Sequence, residues 1–266
     1  VGVFKSTKDS YLAPVSYLVG NYIREYDISK ANINILLYKG LIDKETYDRF
    51  YVMPKKERAI KIGLMLRDNQ ELNKALTAGF AEMRNMFFME NDVQDYEVLA
   101  IKKDAIFLIG KQAPHTQFGN VEFKCKNVYT SFYRLAGVEY YYYLDTINQV
   151  EKLDVKGISD NMLAYHEPYM LDFLRYIFSS IQTGQIQDVI RDIQQFSADM
   201  TSGKLDMGYY RELNNRSWFR SRAVIAGNRI YYEYPVRSVK PIDIDCSFNY
   251  MILQELFKIA LQFYLH

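Results

Sequence analysis

Ile23-Arg24-Glu25-Tyr26-Asp27-Ile28-Ser29-Lys30-Ala31-Asn32-Ile33-Asn34-Ile35-Leu36 reads as a short strand ending at Asp27, then a helix with Ile33, Leu36 and Leu37 on one face. Further along, Val98-Leu99-Ala100-Ile101-Lys102-Lys103-Asp104-Ala105-Ile106-Phe107-Leu108-Ile109 gives two apolar strands around a polar two-residue turn. A carboxylate therefore closes the first strand, and another sits in the turn. If the two elements are neighbours, Asp27 and Asp104 meet at one edge of a sheet. Two carboxylates there, with the Ile28 carbonyl, suit a hard divalent cation, which takes few protein ligands and keeps its waters. Each Asp also has a plainer role to compete with: Asp27 as an N-cap for a helix starting near Ser29, and Asp104 as an ordinary turn residue. Lys103-Asp104 lacks the Gly or Asn that a two-residue hairpin favours. A turn that breaks its local rule marks a functional site, which makes Asp104 the stronger candidate.

The 266 residues are enough for one large domain or two smaller ones. Hydrophobic residues at 49% and charged residues at 24% describe an ordinary globular chain. A net charge of +1 excludes a global nucleic-acid signature, so a binding face has to come from local arrangement. The 24 Tyr and 16 Phe either fill cores or stack on bases. Cys125 and Cys246 give neither a disulfide framework nor metal-ligand spacing. With no signal peptide and no long apolar run, a cytoplasmic chain without membrane contact is expected.

In chain order, an irregular start leads into the strand Tyr22 to Tyr26, and Gly40 stops the helix that follows Asp27. Asp43 caps a helix from Lys44 to Met53, Pro54 opens another running to about Arg67, and Asp68 or Asn69 caps a long one to about Glu90. The long helix carries Leu72, Leu76, Phe80, Met83 and Phe87 on its apolar face. After the Asp104 hairpin come a strand Val121 to Lys126, a short helix Val128 to Leu135, and strands over 138–145 and 151–158. Helices over 160–182 and 186–200 follow, then a hairpin from Arg222 to Val236 around Gly227-Asn228, and a last helix from Phe248 to Tyr264.

Asp27-Ile-Ser-Lys-Ala-Asn-Ile-Asn-Ile-Leu is similar to motif A of family A DNA polymerases, Asp-Tyr-Ser-Gln-Ile-Glu-Leu-Arg-Val-Leu, and more loosely to that of family B. Asp104-Ala-Ile-Phe resembles the end of the family B motif C, Asp-Thr-Asp-Ser-Ile-Phe. Glu139-Tyr140-Tyr141 and Asp154-Val155-Lys156-Gly157-Ile158 are similar to the family B Lys-x-Tyr strand and the Lys-Gly segment before the thumb. The resemblance covers roughly residues 20 to 160, with the motifs in the right order. Three departures stand beside it: Lys102 replaces the first Asp of motif C, Glu139 replaces the Lys of Lys-x-Tyr, and no family B fingers motif is recognisable.

The resemblance implies an α+β fold. A palm-like mixed sheet with helices on one face spans 1–155, with a reduced fingers insertion at about 41–92. A mostly helical thumb-like region with hairpin 222–236 spans 156–266. It implies catalytic and metal-holding roles for Asp27 and Asp104, the Ile28 carbonyl as a further ligand, and Mg²⁺ or Mn²⁺ as cofactor. Asn32 takes the place of the bulky motif A residue that lies against the nucleotide sugar. Lys61 and Lys74, chosen from Lys61, Arg67, Lys74 and Arg84, are the expected triphosphate ligands. Lys156, Arg211, Arg216, Trp218, Arg220 and Arg222 are the expected nucleic-acid contacts, the last five from a basic-aromatic stretch suited to a phosphate backbone. The expected function is a compact nucleotidyltransferase of polymerase type from a virus or phage. Its partners would be DNA more than RNA, nucleoside triphosphates and other replication proteins. The alternative is a palm without catalysis that serves as a nucleic-acid- or protein-binding module.

Overall fold

A computed structural model of the chain describes residues 2–158, 169–206, 222–226, 229–233 and 247–265. The fold is α+β, as the sequence predicts, and the chain groups into two compact units. Val1–Pro14 and Asn21–Tyr129 form the first, and Val15–Gly20 with Thr130–His266 the second. The regrouping at Tyr129 and Thr130 lies upstream of the change of character read near residue 155. Two long strands cause the difference. Strand β2 (Tyr17–Ile28) and strand β6 (Val121–Leu135) each give one segment to either unit. In β2 the change falls at Gly20, whose φ of 76° is open to glycine at no steric cost.

In the first unit, β1 (Ser10–Leu12) pairs with β3 (Val98–Lys102), β3 with β4 (Ala105–Ile109), and β4 with β2, all antiparallel. The two-residue strand β5 (Gln117–Phe118) pairs with β6. The sequence leaves this order open, because pairing is decided by tertiary contacts. Four helices complete the unit: α1 (Ala31–Tyr38), α2 (Lys44–Tyr51), α3 (Lys55–Asp68) and α4 (Gln70–Glu90). Their starts follow local chemistry. The Asp43 side chain accepts from the Thr46 N–H at 2.7 Å, and the Asn69 side chain from the Leu72 N–H at 3.0 Å. The face Leu76, Phe80, Met83 and Phe87 of α4 packs with Tyr26 and Ile28 of β2, Ile35 and Leu36 of α1, and Ile106 and Leu108 of β4. Tyr26 and Ile28 are buried there, and strand alternation turns Asp27 the other way.

The short helix read over Val128 to Leu135 is instead part of β6, a strand of 15 residues. Its β-branched and aromatic residues suit a pleated surface, and pairing with β7 (Val138–Asp145) fixes it from Ser131↔Tyr142 to Leu135↔Val138. In the second unit β7 also pairs along its length with β8 (Val150–Lys156). Helices α5 (Tyr169–Gln182), α6 (Ile186–Thr201) and α7 (Ser247–Leu265) and the hairpin β9 (Arg222–Ala226) and β10 (Arg229–Glu233) also belong to it. Tyr133, Tyr140 and Tyr142 are buried in this unit's core, where Tyr133 stacks on Phe178 at 4.0 Å. The tyrosines there fill the core. No helix among the described residues is long and apolar enough to cross a membrane.

Candidate active site

The end of β2 and the hairpin turn are joined by backbone bonds. Asp27 is in register with Ala105, and the Ile28 N–H donates to the Asp104 carbonyl at 3.0 Å. One residue on, the Ser29 N–H donates to the Glu122 carbonyl of β6 at 2.9 Å. Asp27 does not cap α1: the cap position is Lys30, with no side-chain bond. The plainer role considered for Asp27 is therefore vacant. Instead its Oδ2 lies 3.5 Å from the Lys126 ammonium.

Of the five non-glycine residues with left-handed backbone among the described residues, two lie beside the carboxylates, Lys30 at φ 44° and Lys103 at φ 53°, and Asp92, Ala136 and Gln149 lie elsewhere. Such residues store strain that the surroundings must hold, and they gather at functional sites. Each is held here. The Lys30 ammonium donates to the Tyr51 carbonyl at 3.2 Å and lies 3.0 Å from the centre of the Tyr51 ring. Buried Asn34 donates to the Ser29 carbonyl and accepts from the Tyr47 hydroxyl at 2.7 Å. Lys103 donates its N–H to the Asp9 carbonyl at 2.7 Å and accepts from Arg84 at its own carbonyl.

Asp27 and Asp104 line one cleft of about 570 Å³. Asn32 and the cationic residues Lys30, Lys55, Arg58, Lys124 and Lys126 line it too. Lys30 is held on Tyr51, the Arg58 guanidinium donates to the Met53 carbonyl at 3.1 Å, and the Lys124 ammonium lies 3.4 Å from Glu122. Burial pushes the Asp27 carboxyl above its ordinary range, and the Asp104 charge pushes it further, while Lys126 opposes both. The Asp27 and Asp104 carboxylates are oxygen donors of the kind that a hard divalent cation such as Mg²⁺ or Mn²⁺ takes. Among the described residues no group of three or more His, Cys, Asp or Glu forms a metal cluster, and the carboxylate pair is the candidate.

The other sequence candidates are scattered. Lys61 pairs with Glu57 at 2.7 Å and Lys74 with Glu71 at 2.9 Å on exposed helix faces, and neither lines the cleft. Lys55 and Arg58, six and three residues before Lys61 on α3, line the cleft instead. Arg84 is wholly buried and does not reach the cleft surface. Lys156 lies on β8 of the second unit, 6.0 Å from the Tyr141 ring centre. Arg222 pairs in register with Glu233 in the β9–β10 hairpin. Arg211, Arg216, Trp218 and Arg220 lie outside the described residues.

The sequence reading missed Lys30, Lys55, Arg58, Lys124 and Lys126 as lining residues. A signal exists for the last two: Glu122-Phe123-Lys124-Cys125-Lys126 alternates, so a strand puts both lysines on one side. The family model described as bacteriophage PBS1 gene 130 protein matches residues 6–233. The chain belongs to that family. The match takes in both carboxylates and every cation of the cleft, and it supports the phage origin that the stripped-down layout predicts. No curated protein matches the chain.

Proposed function

We propose that this phage protein is a compact polymerase-type nucleotidyltransferase. Its site would be the cleft of Asp27 and Asp104, and its substrates a nucleoside triphosphate and a nucleic-acid strand. The observation that carries the reading is that the two aspartates of the motif A-like and motif C-like stretches line one cleft together with five cations. Phosphoryl transfer asks for positioning and charge neutralisation more than for covalent chemistry, and this arrangement has both kinds of group. Asp27 and Asp104, with the Ile28 carbonyl, would hold Mg²⁺ or Mn²⁺. A bound divalent ion supplies polarisation of the phosphoryl oxygens and a more acidic attacking hydroxyl. Lys55, Arg58 and Lys124 would take the phosphate charge, in place of Lys61 and Lys74. Asn32 would stand beside the sugar.

A second reading has its own support. The Lys126 ammonium on Asp27 gives that carboxylate a resident cation, as in a palm that binds a polyanion without turning it over. Primer extension separates the two. With Mg²⁺ or Mn²⁺, the natural protein is expected to extend a primer, and Asp104→Ala to lose extension while still folding, because Asp104 is a half-buried turn residue outside the apolar core. No extension by the natural protein, with retained binding of the primer–template, favours the binding module. Undiminished extension by Asp104→Ala removes Asp104 from the site.

A further inference from the structure

Arg84, on α4, has no exposed surface and does not line the cleft. Its guanidinium donates to the Lys103 carbonyl, to the Lys8 carbonyl at 3.1 Å and to the Asp9 Oδ1 at 3.0 Å. Its Nε has no partner, so the buried charge is incompletely satisfied. A charge of this kind is costly to bury, and an apolar side chain would fill the same space more favourably. Its bonds show where it acts.

We infer that Arg84 is a positioning residue for the carboxylate pair: it locks the Lys103-Asp104 turn in the conformation that brings Asp104 into the cleft shared with Asp27. This rests on the metal-site reading above. Lys103 has left-handed backbone that favours glycine, and both of its backbone polar groups are tied down. The N–H goes to the Asp9 carbonyl at 2.7 Å and the carbonyl to Arg84, while Arg84 holds the Asp9 side chain. Asp9, Arg84 and Lys103 thus close a ring of bonds at the residue that precedes Asp104. A rigid planar fork fixes acceptors on two separate segments in one geometry, which the freely rotating donors of an ammonium do not. Burial favours the neutral guanidinium, and the carboxylates of Asp9 and Asp104 oppose that. If the turn relaxes, Asp104 moves, although Arg84 itself does not line the cleft.

The test is Mn²⁺ binding by the full chain, read from the free-ion paramagnetic resonance signal, with thermal melting alongside. The variants are Arg84→Lys, Asp9→Ala, Asp104→Ala and, as a control, Asn69→Ala, which weakens α4 at its cap and touches nothing in the site. Arg84→Lys is expected to weaken Mn²⁺ binding at least tenfold and Asp9→Ala at least threefold. Asn69→Ala is expected to melt earlier with unchanged affinity, a split that a merely structural role for Arg84 would not give. Should Arg84→Lys fail to fold, Asp9→Ala decides, and unchanged affinity there overturns the inference. Natural affinity in a folded Arg84→Lys overturns it outright. If Asp104→Ala loses the ion while Arg84→Lys keeps it, the metal reading stands and this inference alone falls. Absence of Mn²⁺ binding by the natural protein overturns both.

Discussion

Asp27 sits in an unfavourable place for a carboxylate. Burial and the neighbouring Asp104 both push its carboxyl upward, and only Lys126 eases the strain, from 3.5 Å. Carboxylates under such strain are candidates for function because a bound cation turns repulsion into attraction. Asn32, which lines the same cleft, gives a sharper test. A short amide leaves room for a 2′-hydroxyl and can bond to it, where a bulky residue would exclude it. Competition between ribo- and deoxyribonucleoside triphosphates is expected to show weak discrimination in the natural protein. Asn32→Tyr should raise the deoxyribose preference about tenfold or more, the ratio that roughly 1.4 kcal/mol of sugar exclusion gives. Strong deoxyribose preference in the natural protein, unchanged by the substitution, would show that Asn32 is no sugar gate. The two aspartates were legible from sequence because a strand end and a turn are local features. The cations were not. Only packing brings α3 and β6 to one cleft, and which face of α3 turns inward is not set by a helix with one buried residue, Ile62.

The helix after Asp27 is held by its crossing with α4, and Gly79 makes that crossing close. A Cβ on Gly79 would lie 2.5 Å from the Ile35 side chain, which is itself fully buried. Gly79→Ala is therefore expected to destabilise the protein by about 1–3 kcal/mol in urea unfolding, as overpacking does, although alanine is the better helix former. A variant at least as stable as the natural protein would mean that the two helices part easily. At this scale the sequence was read well where capping chemistry is local: Asp43, Pro54 and Asn69 start their helices within a residue of the expected places. It was read poorly where tertiary pairing decides. The run from Val128 to Leu135 has apolar residues at spacings that suit a short helix, yet pairing with β7 makes it strand. The turn at Lys103 shows the converse: its missing glycine was visible in the sequence, but Asp9 and Arg84, which make up for it, come from distant segments.

Each of the two units has its own core, and the second is built around tyrosine. Burial pushes the Tyr142 hydroxyl up to about 12, and those of Tyr133 and Tyr140 higher still. Since folding raises these values above 10.0, the neutral tyrosines stabilise the fold fully below that pH, and the contribution is lost as pH rises above it. An alkaline titration followed by tyrosinate absorbance is expected to show exposed tyrosines ionising first. The buried set should ionise only together with loss of the near-ultraviolet circular dichroism of the fold. Smooth ionisation of every tyrosine in a folded protein would contradict the buried core. The central claim belongs to the first unit, and anomalous scattering from crystals grown with Mn²⁺ and a non-hydrolysable nucleoside triphosphate tests it most directly. The expected result is a manganese peak at about 2.0–2.3 Å from carboxylate oxygens of both Asp27 and Asp104, with the phosphates on the side of Lys55, Arg58 and Lys124. A cleft that holds the triphosphate while Lys126 stays on Asp27 and no manganese lies between the carboxylates would contradict it.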